Sequence, residues 1–210
     1  DAMPGQNDGS VDLTVTGGTP CITPNTLLGP VAGGNGHSGV VFNVINTSGQ
    51  DLDITGFSQG GPNIVNGAME VYVYPGDVYA GTLPSGTPPY AGWSLVGSAT
   101  VNTTGGVLGY IPVSGVTIPA GGTYSFRVQY MTGSLSYTNG TGTPGVSTWA
   151  SDANVTITEG HGGTFPTGLN FSPRNWNGTV HYGDPAVSAY SYAWSTGDTT
   201  EDLSNVTSGT

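Results

Sequence analysis

The chain has no lysine. Its only basic residues besides histidine are Arg127 and Arg174, set against thirteen acids, for a formal net charge of −11 over 210 residues. Such a chain has little with which to neutralise phosphates, which excludes nucleic acid as a partner class. An anionic membrane surface repels it for the same reason. Without lysine, a Lys–Asn isopeptide cross-link cannot form. The single cysteine, Cys21, excludes an internal disulfide framework and reads as a small buried apolar side chain. No apolar run approaches the ~20 residues of a membrane-spanning helix, so membrane insertion is not expected. No stretch of a dozen residues carries a 3.6-residue apolar period, so helices are not expected either. No signal peptide is visible and the first residue is Asp1, as in a mature or trimmed product.

Glycine (37) and proline (15) are abundant, and Ser and Thr are frequent. This low-charge composition points to an extracellular or cell-surface protein. The Val, Ile, Tyr and Trp content is too high for a disordered chain. Alternating segments predict an all-β fold. Strands are expected near Val40–Ile45, Leu52–Phe57, Ala68–Tyr74, Trp93–Val101, Val107–Val113, Thr123–Tyr130, Leu135–Tyr137, Asn154–Thr158 and Trp176–Tyr182. Asn-Gly pairs at Asn35, Asn66, Asn139 and Asn177 predict tight turns with positive φ. Residues 21–38 read as loop. About nine strands over roughly 150 residues suggest a two-sheet sandwich of jelly-roll or immunoglobulin-like type.

The two ends carry their own alternations. In "GSVDLTVTG" (residues 9–17), Val11, Leu13 and Val15 share one face; near the C-terminus Tyr190, Tyr192 and Trp194 share another, followed by the apolar anchors Leu203 and Val206. The paired segments "PGQNDGSVDLTVTGGTP" and "YSYAWSTGDTTEDLSNVTSGT" together resemble one SprB-type repeat of the large surface adhesins of gliding Bacteroidota. The resemblance covers residues 1–20 and 189–210. It implies an immunoglobulin-like spacer module that is split by residues 21–188 and lacks the closing strand expected after "SGT". The insert, through "GGNGHSGVVFNV", "GWSLVGSATV", "VTIPAGGTYSF", "LSYTNGTG" and "FSPRNWNGTVHY", is similar to modules of secreted Bacteroidota proteins with no assigned activity.

A split module suggests assembly. The N-terminal strand, with Val11, Leu13 and Val15 in alternate pockets, is expected to add to a groove formed by Tyr190, Tyr192, Trp194, Leu203 and Val206 of another copy. Head-to-tail donation does not close on itself and generates a helical fibre, similar to pili that polymerise by donor-strand exchange. The alternative is closure within one chain, giving a domain of a surface adhesin that binds glycans.

Catalytic constellations are not recognisable. His37, His161 and His181 are scattered, with no Ser/His/Asp or paired-carboxylate spacing, and a non-enzyme is expected. No cofactor is expected. Calcium is the one candidate with ligands on offer, at Asp8, Asp51 and Asp53, but no calcium-loop pattern surrounds them. Tyr79, Tyr90 and Trp93, close in sequence to Tyr72 and Tyr74, are a candidate glycan platform, although aromatics in strands more often form core. Asn46, Asn102, Asn139, Asn154, Asn177 and Asn205 each begin an Asn-x-Ser/Thr triplet, where chance predicts about three such triplets. Thr199, in Asp-Thr-Thr, resembles the O-glycosylation motif of Bacteroidota. Arg174 reads as structural, bonded to a carboxylate or carbonyl.

Overall fold

A computed structural model of the chain describes residues 9–11, 24–31, 33–61, 64–81, 83, 90–164, 168–184 and 203–206. Seventeen strands lie among them. The first six are β1 (Gly9–Val11), β2 (Asn25–Leu28), β3 (Asn35–His37), β4 (Gly39–Asn46), β5 (Leu52–Gln59) and β6 (Gly67–Tyr74). Then come β7 (Ser94–Val101), β8 (Gly109–Pro112), β9 (Thr117–Ile118), β10 (Thr123–Tyr130) and β11 (Leu135–Asn139). The last six are β12 (Thr148–Ser151), β13 (Val155–Thr158), β14 (Gly160–Thr164), β15 (Gly168–Trp176), β16 (Gly178–Gly183) and β17 (Leu203–Val206). Among the described residues the only helical pieces are two 3-10 turns, and no helix is long and apolar enough to cross a membrane.

The chain divides into two compact units, Ile22–Pro185 and the two ends together, Asp1–Cys21 with Ala186–Thr210. The larger unit is an all-β, immunoglobulin-like sandwich of two antiparallel sheets. Its ten-stranded sheet runs β3-β11-β15-β14-β4-β10-β6-β7, with β13 also on β4 and β12 on β13. The five-stranded sheet runs β2-β16-β5-β8, with β9 also on β5.

On β6 and β10 the alternating residues face the core as their period dictates, and β5 changes phase at an irregularity between Ile54 and Gly56. Met69, Val71 and Val73 on β6, Phe126 and Val128 on β10, and Leu52, Ile54 and Phe57 on β5 are all buried there. Phe42 stacks on Trp176 at 5.0 Å between ring centroids, and Phe57 packs edge-on against both. The Trp176 indole N–H donates to Gln59 Oε1 at 2.7 Å, so the largest core side chain leaves no unmet donor. At another margin the Tyr182 hydroxyl donates to Asp152 at 2.5 Å and accepts from Asn25 at 3.1 Å. Burial first, and then this bond to Asp152, push its pKa up to about 12.

Several local expectations are corrected. The single strand expected at Trp176–Tyr182 is two: Trp176 ends β15 in the large sheet, and Gly178 starts β16 in the small one. The chain switches sheets at Asn177, whose buried side-chain oxygen accepts from the Thr138 hydroxyl at 2.7 Å. The region 21–38, read as loop, contains β2 and β3. Of the four Asn-Gly pairs only Asn66 has a positive φ (48°); Asn35 and Asn139 lie in strands.

Candidate functional site

β1 pairs antiparallel with β17, with Gly9 opposite Val206, Ser10 opposite Ser204 and Val11 opposite Leu203. Donor and acceptor segments therefore meet within one chain. Leu13, Val15, Tyr190, Tyr192, Trp194 and Thr199 lie outside the described residues.

The aromatic platform is assembled, but as a second core. Tyr72, Tyr90 and Trp93 gather with Val41 and Val78, and Tyr74 and Tyr79 pack on their margin. Tyr90 and Trp93 are only 4% and 7% exposed, so their faces are not offered to a sugar. This corrects the glycan-platform expectation for Tyr90 and Trp93. Tyr79 is half-buried; its hydroxyl donates to the Val41 carbonyl at 2.9 Å and its ring stacks on His161. The cause lies in the register. Ser125, Arg127 and Gln129 point away from the main core, and Val78 and Tyr90 lie over them: Ser125 accepts from the Val78 N–H, Gln129 from the Tyr90 hydroxyl.

Arg127 is fully buried in this layer. Its guanidinium carbon sits 4.7 Å from the Tyr90 ring centroid, and none of its three side-chain nitrogens has a hydrogen-bond partner. Burial lowers its pKa, with Tyr90 and Tyr72 acting in the opposite sense. The same burial raises the pKa of the Tyr90 hydroxyl.

One pairing had no signal in the sequence. Ser58 Oγ lies 2.8 Å from His181 Nε2, across the β5–β16 ladder. The residues are 123 positions apart, so only sheet topology unites them. Ser58 is buried and the Tyr110 ring packs edge-on against His181 at 4.9 Å.

Among the described residues no group of three or more His, Cys, Asp or Glu side chains converges as a metal site. The Asp51 carboxylate accepts from the Ala120 N–H and that of Asp53 from the Thr117 hydroxyl; Asp8 lies outside the described residues. The asparagines separate by burial. Asn46 is fully buried, and its side-chain nitrogen donates to the carbonyls of Gln50, Ile118 and Pro119. The nitrogen a glycan would be joined to is thus committed inside the fold, and Asn177 is equally buried. Both are corrected as glycosylation candidates. Asn102 and Asn139 are exposed and Asn154 is half-buried. Asn205 lies in β17.

Arg174 makes no ion pair among the described residues. Its Nη1 donates to the neighbouring Pro173 carbonyl at 2.7 Å, and its Nε is buried without an acceptor. The guanidinium carbon lies 5.7 Å from the ring centroids of both Tyr137 and Phe171. Phe171 in turn stacks on His37, with centroids 4.6 Å apart and planes inclined by 16°. Three distant segments build this cluster: β3 brings His37, β11 brings Tyr137 and β15 brings Phe171 and Arg174. No family model, curated protein or solved structure matches the chain.

Proposed function

We propose that the chain is a non-enzymatic structural module of a bacterial cell surface, a β-sandwich carried within a small terminal module that its own two ends close. The observation behind this reading is the antiparallel pairing of Gly9–Val11 with Leu203–Val206, in a compact unit separate from the sandwich. The composition, poor in charge and without lysine, and the resemblance to SprB-type adhesin repeats support an extracellular setting in Bacteroidota.

The same ladder favours a second reading. Exchange of a terminal strand between copies preserves every backbone hydrogen bond of the closed form, so the two states differ mainly in connectivity and concentration. Repeated head-to-tail, that exchange builds a pilus-like homopolymer from one kind of subunit.

Ser10 and Ser204 face one another in the ladder, so a Ser10→Cys/Ser204→Cys chain, with Cys21→Ser to remove the native thiol, separates the two. Oxidation of a dilute sample is expected to give a cross-linked monomer on a denaturing gel. A ladder of covalent multimers from native-concentration material, with filaments under negative stain, supports strand exchange instead. Failure to cross-link in either form would overturn the pairing on which both readings stand.

A further inference from the structure

Asn-Gly occurs at Asn35, Asn66, Asn139 and Asn177, and the fold treats these pairs unequally. An asparagine side chain brings its amide carbon, Cγ, within reach of the next backbone nitrogen, and a following glycine puts no Cβ in the way. At Asn35 the two groups already meet: the Gly36 N–H donates to Asn35 Oδ1 at 2.9 Å, so the nitrogen faces the carbonyl whose carbon it would attack. Asn35 is exposed, and among the described residues its strand β3 pairs only with β11. Its Nδ2 donates to Asn139 Oδ1 at 2.9 Å, which holds the amide in that orientation. The other pairs lack this arrangement. The Gly140 N–H donates to the Pro173 carbonyl instead. Asn177 is buried, with Oδ1 accepting from Thr138. Asn66 is held at φ 48°, and Gly67 after it pairs with Val101 at the start of β6. Asn25 shares the contact, with the Thr26 N–H at 2.8 Å from its Oδ1, but there a β-branched side chain crowds the nitrogen. At Gly36 a Cβ would lie 2.4 Å from the Leu135 carbonyl oxygen, so the approach of β3 to β11 itself requires the glycine that leaves the nitrogen open.

We propose that Asn35 is a site of self-modification, at which the Gly36 nitrogen closes onto Asn35 Cγ and the side chain is deamidated. The N–Cγ bond forms and the Cγ–Nδ2 bond breaks; the amide nitrogen leaves as ammonia, carrying the proton that Gly36 gives up. Water then opens the cyclic imide at one or other carbonyl, giving aspartate or isoaspartate. Either product adds a negative charge to β3 on the side away from β11, where charge opposes pairing with a further strand. Isoaspartate also adds one carbon to the backbone opposite Tyr137, which disturbs the β3–β11 register. The proposal is independent of whether the terminal strands close within one chain or between copies.

Peptide mapping by mass spectrometry tests it on the full chain, aged at mildly alkaline pH in the folded state and, in parallel, in urea. Urea leaves every Asn-Gly pair to its local chemistry, so all are expected to convert there at similar rates, each with a mass gain of about 1 Da. In the folded chain Asn35 is expected to convert about tenfold faster or more than Asn66, Asn139 or Asn177, because only its reacting groups are held together. Electron-transfer fragmentation separates isoaspartate from aspartate, and both are expected at position 35. Circular dichroism of the aged sample checks that the chain stays folded throughout. An Asn35 that persists in the folded chain while the urea sample converts, or conversion in the folded chain that is as fast at any of the other pairs, would overturn the assignment.

Discussion

Arg127 shows how far a residue's environment departs from its type. On an alternating strand it belongs to the face opposite Phe126 and Val128, which a two-sheet fold ordinarily gives to solvent. Here that face is roofed by Tyr90 and Trp93, and the guanidinium is fully buried with no acceptor. Taking a charge out of water without a partner costs several kcal/mol, and one aromatic contact recovers only part of that. Arg127→Met, similar in length and without the charge, is therefore expected to be neutral or stabilising by up to ~3 kcal/mol. Urea unfolding of the two proteins checks this, and a clear loss of stability would mean the charge is needed where it sits. The asparagines teach the same lesson in reverse. Six triplets look equivalent in sequence, yet Asn46 spends its amide on three carbonyls inside the fold, while Asn102 and Asn139 are exposed. A three-residue motif carries no burial, so nothing in it distinguishes them.

Among the elements, legibility followed side-chain chemistry. Strands rich in β-branched and aromatic residues, such as β4, β6 and β10, were visible from that composition and fall within a residue or so of the expected spans. Strand β14, Gly-His-Gly-Gly-Thr, was not, because glycine has low strand propensity and offers no alternation to detect. Its glycines have a positional reason: a Cβ at Gly160 would collide with the Val41 carbonyl, and one at Gly162 with the Tyr137 ring. Glycine is what lets β14 lie between β4 and β15. Gly160→Ala is accordingly expected to cost ~2–3 kcal/mol, read as a lower denaturation midpoint with an unchanged slope. A neutral result would show that the β4–β14 contact relaxes freely. The sheet switch at Asn177 was equally hidden: the Asn-Gly pair in "NWNGTVHY" signals a turn, but nothing local says which sheet each half joins.

For the whole molecule, acid stability follows from two half-buried imidazoles. His161, stacked on Tyr79, and His181, between Ser58 and Tyr110, both have pKa values lowered from 6.5 by burial. The folded state thus binds these protons less readily than the unfolded chain, which takes them up near 6.5. With more protons bound in the unfolded state, stability is full above that pH and declines as the pH falls below it. Thermal melts between pH 8 and pH 5, roughly the window in which histidine titrates, are expected to show a falling Tm, and His161→Gln is expected to flatten the trend. A Tm constant across that range would contradict the burial argument.

The sequence by itself determined the all-β class, the two-sheet sandwich and most of its long strands, because period-two alternation of apolar residues is a local property that survives in any context. It also located strand character at the N-terminal end, where Gly9–Val11 forms a strand. Tertiary structure alone decided what those strands and side chains meet: that Gly9–Val11 pairs with Leu203–Val206 in the same chain, that the Tyr90–Trp93 aromatics close over a buried arginine, and that His37, Phe171 and Arg174 share one patch. These are contacts between residues far apart in the chain, set by sheet order and register, and no local pattern encodes which strand becomes whose neighbour.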